Sequence, residues 1–291
     1  MIEIFAPSGV PEVRPGDDLA DLALRALADD PRGPLRDGDI LVVTSKIVSK
    51  AEDRYIDVAD KQAARVAESR RIVARRGDTV IVEHRLGLVH AAAGIDASNV
   101  AAGQALLLPT DPDASARRIR RALTDATGHR LGVLITDTSG RAWRTGQTDL
   151  AIGIAGVLPL DSHVGRTDDY GNDLRVTEMA VADEIAAAAD LAKTKLGGRP
   201  FAVVRGLERL VTDEDGSATA LLREATKDFF RLGRREAVLD AVLRATGQAD
   251  RYDEVVTLDG AELLAAVCRD VPAGDRGWVE RLLRVGGSEQ L

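Results

Sequence analysis

Short apolar runs at residues 39–43, 79–83, 131–136 and 201–204 recur along the chain, separated by stretches whose apolar residues follow a helical spacing. Each run is the length of one buried strand, and amphipathic helices alternating with such strands need a sheet to cover. The pattern predicts an α+β (mixed α/β) architecture with a mixed sheet. At 291 residues the chain suits one large domain or two intimate subdomains.

Residues 2–5 alternate as a strand, and residues 17–29 place Leu19, Leu22, Leu24 and Leu27 behind acidic residues, as an amphipathic helix does. Further helices are expected at 60–76, which is highly charged, at 115–126, and at 178–196, which is rich in alanine. Residues 139–175 are glycine-rich and polar, with a buried strand expected at 150–157; so long a connection in a compact domain usually carries function. After Gly233 the composition turns to Arg, Glu and Leu, with helices expected at 235–245, 260–269 and 278–284. A boundary there gives a principal domain at 1–232 and a helical appendage of unknown role at 233–291.

A net charge of −8 argues against a nucleic-acid backbone as the main partner. Met1-Ile2-Glu3-Ile4 enters directly into the strand pattern, so no signal peptide is expected, and no apolar run reaches the roughly 18–20 residues that span a bilayer. A cytoplasmic protein with small-molecule partners is therefore expected. Cys268 is the sole cysteine, which excludes an intrachain disulfide, and it is expected to be buried and inert on the apolar side of a helix. His84, His90, His129 and His163 lack a ligand spacing and read as surface or packing residues. No nucleophile elbow is present.

Five segments can carry chemistry. Asp137-Thr138 ends the 131–136 strand, where a carboxylate and a hydroxyl can hold a hard cation, although an Asp opening a turn has the same appearance. Asp96-Ala97-Ser98-Asn99 can present several oxygens in one direction or form an ordinary Asx turn. Thr44-Ser45-Lys46-Ile47-Val48-Ser49-Lys50 offers hydroxyls and two lysines after a strand, without the glycines of a Walker A loop; it also reads as the polar start of a surface helix. The lysines of Lys193-Thr194-Lys195-Leu196-Gly197-Gly198-Arg199-Pro200 suit either the helix dipole or an anion loop. Arg141 and Arg144 flank Trp143 and can grip a carboxylate or phosphate. Only six of the 39 basic residues are lysines, and four of those fall in the pairs Lys46/Lys50 and Lys193/Lys195.

In their order and spacing these segments resemble the F420 gamma-glutamyl ligase family, coenzyme F420-0:L-glutamate ligases that add glutamate to a deazaflavin cofactor. Stretches 9–19, 43–50, 85–94, 96–99, 107–115, 136–149, 182–185 and 202–206 carry the likeness, which runs over residues 2–232. The resemblance implies a mixed α/β fold of two subdomains, a homodimer, GTP as a substrate, Mg²⁺ or Mn²⁺, and K⁺ as a further ion. It places Asp96 and Asp137 as metal-binding, catalytic aspartates and Thr138 at a second metal. Val10, Pro11, Glu12, Val13, Ser45, Lys50 and Asn99 fall at nucleotide-contacting positions, with Lys193 and Lys195 in a further nucleotide loop. Two other readings remain: a non-catalytic nucleotide- or cofactor-binding regulatory protein, and an amide ligase for a related acceptor carboxylate.

Overall fold

A computed structural model describes residues 1–286. The chain divides into two compact units, one formed by Met1–Lys61 with Ile95–Leu222 and the other by Gln62–Gly94 with the described residues from Arg223 to Gly286.

The first unit is built on a mixed five-stranded sheet in the order Glu3–Phe5, Phe201–Arg205, Ile40–Thr44, Gly132–Arg141, Arg144–Ala155. Ile40–Thr44 runs parallel to Gly132–Arg141, with Thr44 opposite Thr136, and every other pairing is antiparallel. Ile40, Leu41, Val42 and Val43 are all buried, because this central strand is covered on both faces. Ile40, Val42, Leu134 and Val204 pack with Val181, Ile185 and Ala189 of the Val181–Lys193 helix.

The Pro112–Thr127 helix packs on the hairpin strands. Its start is set by Asp111, whose carboxylate caps Ala114 N–H at 2.9 Å, and by Pro112 in the first turn. It ends at Gly128, which adopts a φ of 72°. At Gly153 helix and sheet touch: a Cβ there would lie 2.5 Å from the Pro112 carbonyl oxygen.

The second unit combines an antiparallel sheet, in the order Ser69–Arg76, Thr79–His84, Val89–Ala91, with the helices Arg234–Ala245, Tyr252–Val255, Gly260–Cys268 and Arg276–Gly286. Leu239, Val242, Leu243, Val255, Val267 and Val279 form its core, against which Ile72 of the first strand and half-buried Cys268 pack. The C-terminal helices thus share a core with residues that precede them by more than 150 positions, and the last five residues of the expected appendage lie outside the described residues.

Three local expectations are corrected. Residues 60–76 were expected as one helix, yet the helix is Lys61–Glu68 and Ser69–Arg76 is a strand. Ile72 and Val73 favour the strand, and Gly77, at a φ of 55°, turns it back to pair with Thr79–His84. The alanine-rich helix spans Val181–Lys193 and not 178–196, because Glu178–Met179 pairs with Asp161–Ser162 and Thr194 leaves helical geometry at a φ of 58°. The first part of the expected 139–175 connection is a hairpin, since Gly132–Arg141 and Arg144–Ala155 pair along their length with two register shifts.

Candidate functional site

Where the parallel pairing of Ile40–Thr44 with Gly132–Arg141 ends, at Thr44 and Thr136, a cleft of about 360 Å³ opens within the first unit. Open sheets with parallel strands place ligands at this end, where the strands stop and their connections diverge. Four of the chain's six lysines, Lys46, Lys50, Lys193 and Lys195, line it. Val10, Pro11, Glu12, Val13, Asn99 and Thr138 line it too.

The Ser45–Ala51 helix starts directly after the Ile40–Thr44 strand, so its first two residues meet the mouth of the cleft. Each of them engages one of the two aspartates singled out by sequence. Ser45 Oγ donates to Asp137 Oδ1 at 2.7 Å. Lys46 Nζ lies 2.6 Å from Asp96 Oδ2 and also donates to the Ser98 carbonyl at 2.8 Å. Ser98 N–H closes the Asx turn onto Asp96 Oδ1 at 2.6 Å, and Asn99 follows at a φ of 55°. Burial acts to raise the Asp96 pKa, but the hydrogen bonds from Lys46 and Ser98 outweigh it and hold the carboxyl below its usual range. One turn along the helix, Lys50 is buried and pairs with Glu12 of the 10–13 segment.

A second network closes the other side. Asp149 accepts from Thr136 Oγ1, Thr138 Oγ1 and Lys193 Nζ, each at 2.8 Å, and Lys193 also donates to Thr136 Oγ1 at 2.9 Å. Thr136 and Thr138 are two apart on one strand and so share a face, and Asp149 stands opposite Thr138 on the next. Lys193 sits in the last turn of the Val181–Lys193 helix, where the dipole favours a cation. Asp190, one turn earlier, has its pKa pushed up by burial and then by the nearby Asp149 charge.

Of the residues singled out by sequence, Ser45, Asp96 and Asp137 do not line the cleft themselves; they touch residues in or beside it. Arg141, Trp143 and Arg144 lie at the exposed hairpin turn, with Trp143 77% exposed, and none of the three lines the cleft. Asp149 and Thr136 were missed. Asp149 fell within the glycine-rich stretch and its partners lie 11 to 44 positions away, so only the hairpin register gives it away.

Asp96, Asp137 and Thr138 each offer hard oxygen. Among the described residues no group of three or more His, Cys, Asp or Glu side chains could hold a metal ion by itself. A carboxylate or a hydroxyl is the kind of ligand a Mg²⁺-like ion takes, since it usually accepts one or two protein carboxylates and completes its shell with phosphate oxygens and water; here the Asp96 oxygens are engaged by Lys46 and Ser98, and one Asp137 oxygen by Ser45.

Residues 9–206 match the model of the F420-0:gamma-glutamyl ligase family. The chain belongs to this family. It is similar to the coenzyme F420:L-glutamate ligase of Archaeoglobus fulgidus, 41% identical over 249 residues that cover 79% of this chain and 96% of that protein. The enzyme of the same name from Methanothermobacter thermautotrophicus is 40% identical, with coverage of 79% and 99%. That of Methanopyrus kandleri is 38% identical, with coverage of 76% and 94%. As a member of the F420-0:gamma-glutamyl ligase family the chain is a ligase of F420 biosynthesis. The family match holds every cleft-lining lysine and both candidate metal aspartates. Among the described residues no helix is long and apolar enough to cross a membrane.

Proposed function

We propose that this member of the family joins L-glutamate to coenzyme F420-0 by an amide bond, with GTP cleavage driving the reaction and an acyl phosphate as the intermediate. The observation that carries the reading is the gathering of Lys46, Lys50, Lys193 and Lys195 in one cleft, beside Asp137, Thr138 and the Asp96–Asn99 turn. An amide cannot form directly from a carboxylate, because oxide is too poor a leaving group. The acceptor carboxylate oxygen attacks the γ-phosphorus, and GDP leaves. The glutamate amine, having lost its proton, then attacks the acyl carbon and inorganic phosphate leaves.

Both steps depend mainly on positioning and charge neutralisation, so the site needs cations and dipoles and no nucleophilic side chain. Lys50, Lys193 and Lys195 bind the polyphosphate, the 10–13 segment and Asn99 hold the nucleoside end, and Ser45 orients Asp137. Asp96, Asp137 and Thr138 hold Mg²⁺ or Mn²⁺, which when bound neutralises phosphate charge. K⁺ is a further ion of this reading, and the working form is a cytoplasmic homodimer. Arg141 and Arg144 at the exposed hairpin turn contact the acceptor's phosphate or the incoming glutamate.

Calorimetric titration of the protein with GTP and with ATP, each with Mg²⁺, tests the nucleotide assignment. GTP is expected to bind at least tenfold more tightly; equal affinity or a preference for ATP would overturn it.

A further inference from the structure

We propose that Asp149 is a positioning residue that aims the Lys193 ammonium at the nucleotide's phosphates, a role that rests on the GTP-dependent reading above. Lys193 and Asp149 are only 4% and 2% exposed, yet both line the cleft, so what little surface they keep faces the ligand space. A lysine ammonium has three N–H donors. Lys193 spends one on Asp149 Oδ2 at 2.8 Å and one on Thr136 Oγ1 at 2.9 Å. The third has no partner among the described residues.

Two of its three donors are thus held in place while the ammonium keeps a face on the cleft. One free donor directed at a cleft is what an oxyanion ligand completes. The flexible four-carbon stem does not aim itself; the carboxylate does, and it is fixed in turn by hydroxyls from two residues of the adjacent strand, Thr136 and Thr138, at 2.8 Å each. Thr138 gives its hydrogen to Asp149, so only acceptor lone pairs remain to face other groups. That suits a cation and does not suit a phosphate oxygen. Asp149 thereby sorts its neighbours, with Lys193 presented as donor and Thr138 as acceptor.

The test uses the full chain and its Asp149→Asn, Lys193→Met and doubly substituted forms. GTP affinity is measured by calorimetry with Mg²⁺, and kcat and KM for GTP and glutamate are measured on the same preparations. Asp149→Asn is expected to weaken GTP binding at least tenfold while KM for glutamate stays within twofold of the parent. The double variant is expected to bind GTP no more weakly than Lys193→Met, since Asp149 acts through Lys193. A purely structural role would lower the melting temperature without this selective change in KM. Parent-like GTP affinity in Asp149→Asn, or losses that add in the double variant, would overturn the proposal. If Asp149→Asn alone does not fold, the double variant, which removes both buried charges, is compared with Lys193→Met: equal affinity supports the role and a further loss overturns it. A parent chain that binds no GTP overturns the nucleotide reading itself, whereas a parent that binds GTP with unaffected variants overturns the positioning role alone.

Discussion

Lys193 places its ammonium 2.8 Å from Asp149 Oδ2, joining the end of a helix to the middle of a hairpin across 44 positions of sequence, with both side chains withdrawn from solvent. Buried charges are tolerated only as long as each keeps its partner, and removing one leaves the other with its full desolvation penalty. Lys193→Met alone is therefore expected to lose about 3–5 kcal/mol of stability. The double substitution of Lys193 to Met and Asp149 to Asn is expected to recover most of that. Denaturant unfolding of both variants checks this; equal losses would show that the pair does not carry the coupling.

Gly153 sets the approach of the Pro112–Thr127 helix to the sheet, since an added methyl would lie 2.5 Å from the Pro112 carbonyl oxygen and 2.6 Å from its carbon. Backbone cannot move aside as a flexible side chain can. Gly153→Ala is expected to destabilise the protein by about 1–3 kcal/mol, the usual range for overpacking. Unchanged unfolding would mean that the helix can retreat without loss.

His84 is fully buried, accepts a hydrogen bond from Leu86 N–H at Nδ1, and has its pKa lowered to about 4, chiefly by burial. Its nearness to Glu68, 3.0 Å from Nε2, acts in the opposite direction but does not prevail. As pH falls, the unfolded chain protonates this histidine near its ordinary value of about 6.5, before the folded chain can. Stability from this source is thus present above about 6.5 and is lost on acidification towards about 4. Relative to His84→Gln, the parent is expected to lose more stability between those pH values, as read by urea midpoints. Parallel pH profiles would contradict the assignment.

The legible parts of the sequence were those governed by local rules. The apolar run at 39–43 is the buried strand Ile40–Thr44, and the helix expected at 115–126 is Pro112–Thr127, which starts three residues earlier because Asp111 caps it and Pro112 opens its first turn. Lys193 was legible as a basic residue at a helix end. Asp149 was not, because its meaning comes from a cross-strand register, and the strand before the hairpin turn reads Thr136-Asp137-Thr138-Ser139-Gly140, too polar to resemble a strand. Ser69–Arg76 was misread for a related reason: its arginines suit a helix surface as well as a strand edge, and only pairing through Gly77 decides between them.

Asp137 accepts from Ser45 Oγ and is the aspartate closest in sequence to Thr138, which lines the cleft. Asp137→Asn keeps the shape and an acceptor oxygen while removing charge. It is expected to melt like the parent and to lose at least a hundredfold in kcat, on the order of the contribution of one preorganised electrostatic group. Melting curves beside single-turnover GTP cleavage in the presence of acceptor provide the comparison, and parent-like turnover in a folded variant would contradict the proposed metal role of Asp137.

The most direct measurement is of the product. The purified chain is incubated with F420-0, L-glutamate, Mg²⁺ and either GTP or ATP, and the deazaflavin products are resolved by mass. The account predicts addition of one or more glutamyl residues, with GDP and inorganic phosphate released in step, and product formed preferentially with GTP. Unmodified F420-0 in the presence of GTP and metal, or glutamylation without nucleotide cleavage, would contradict it.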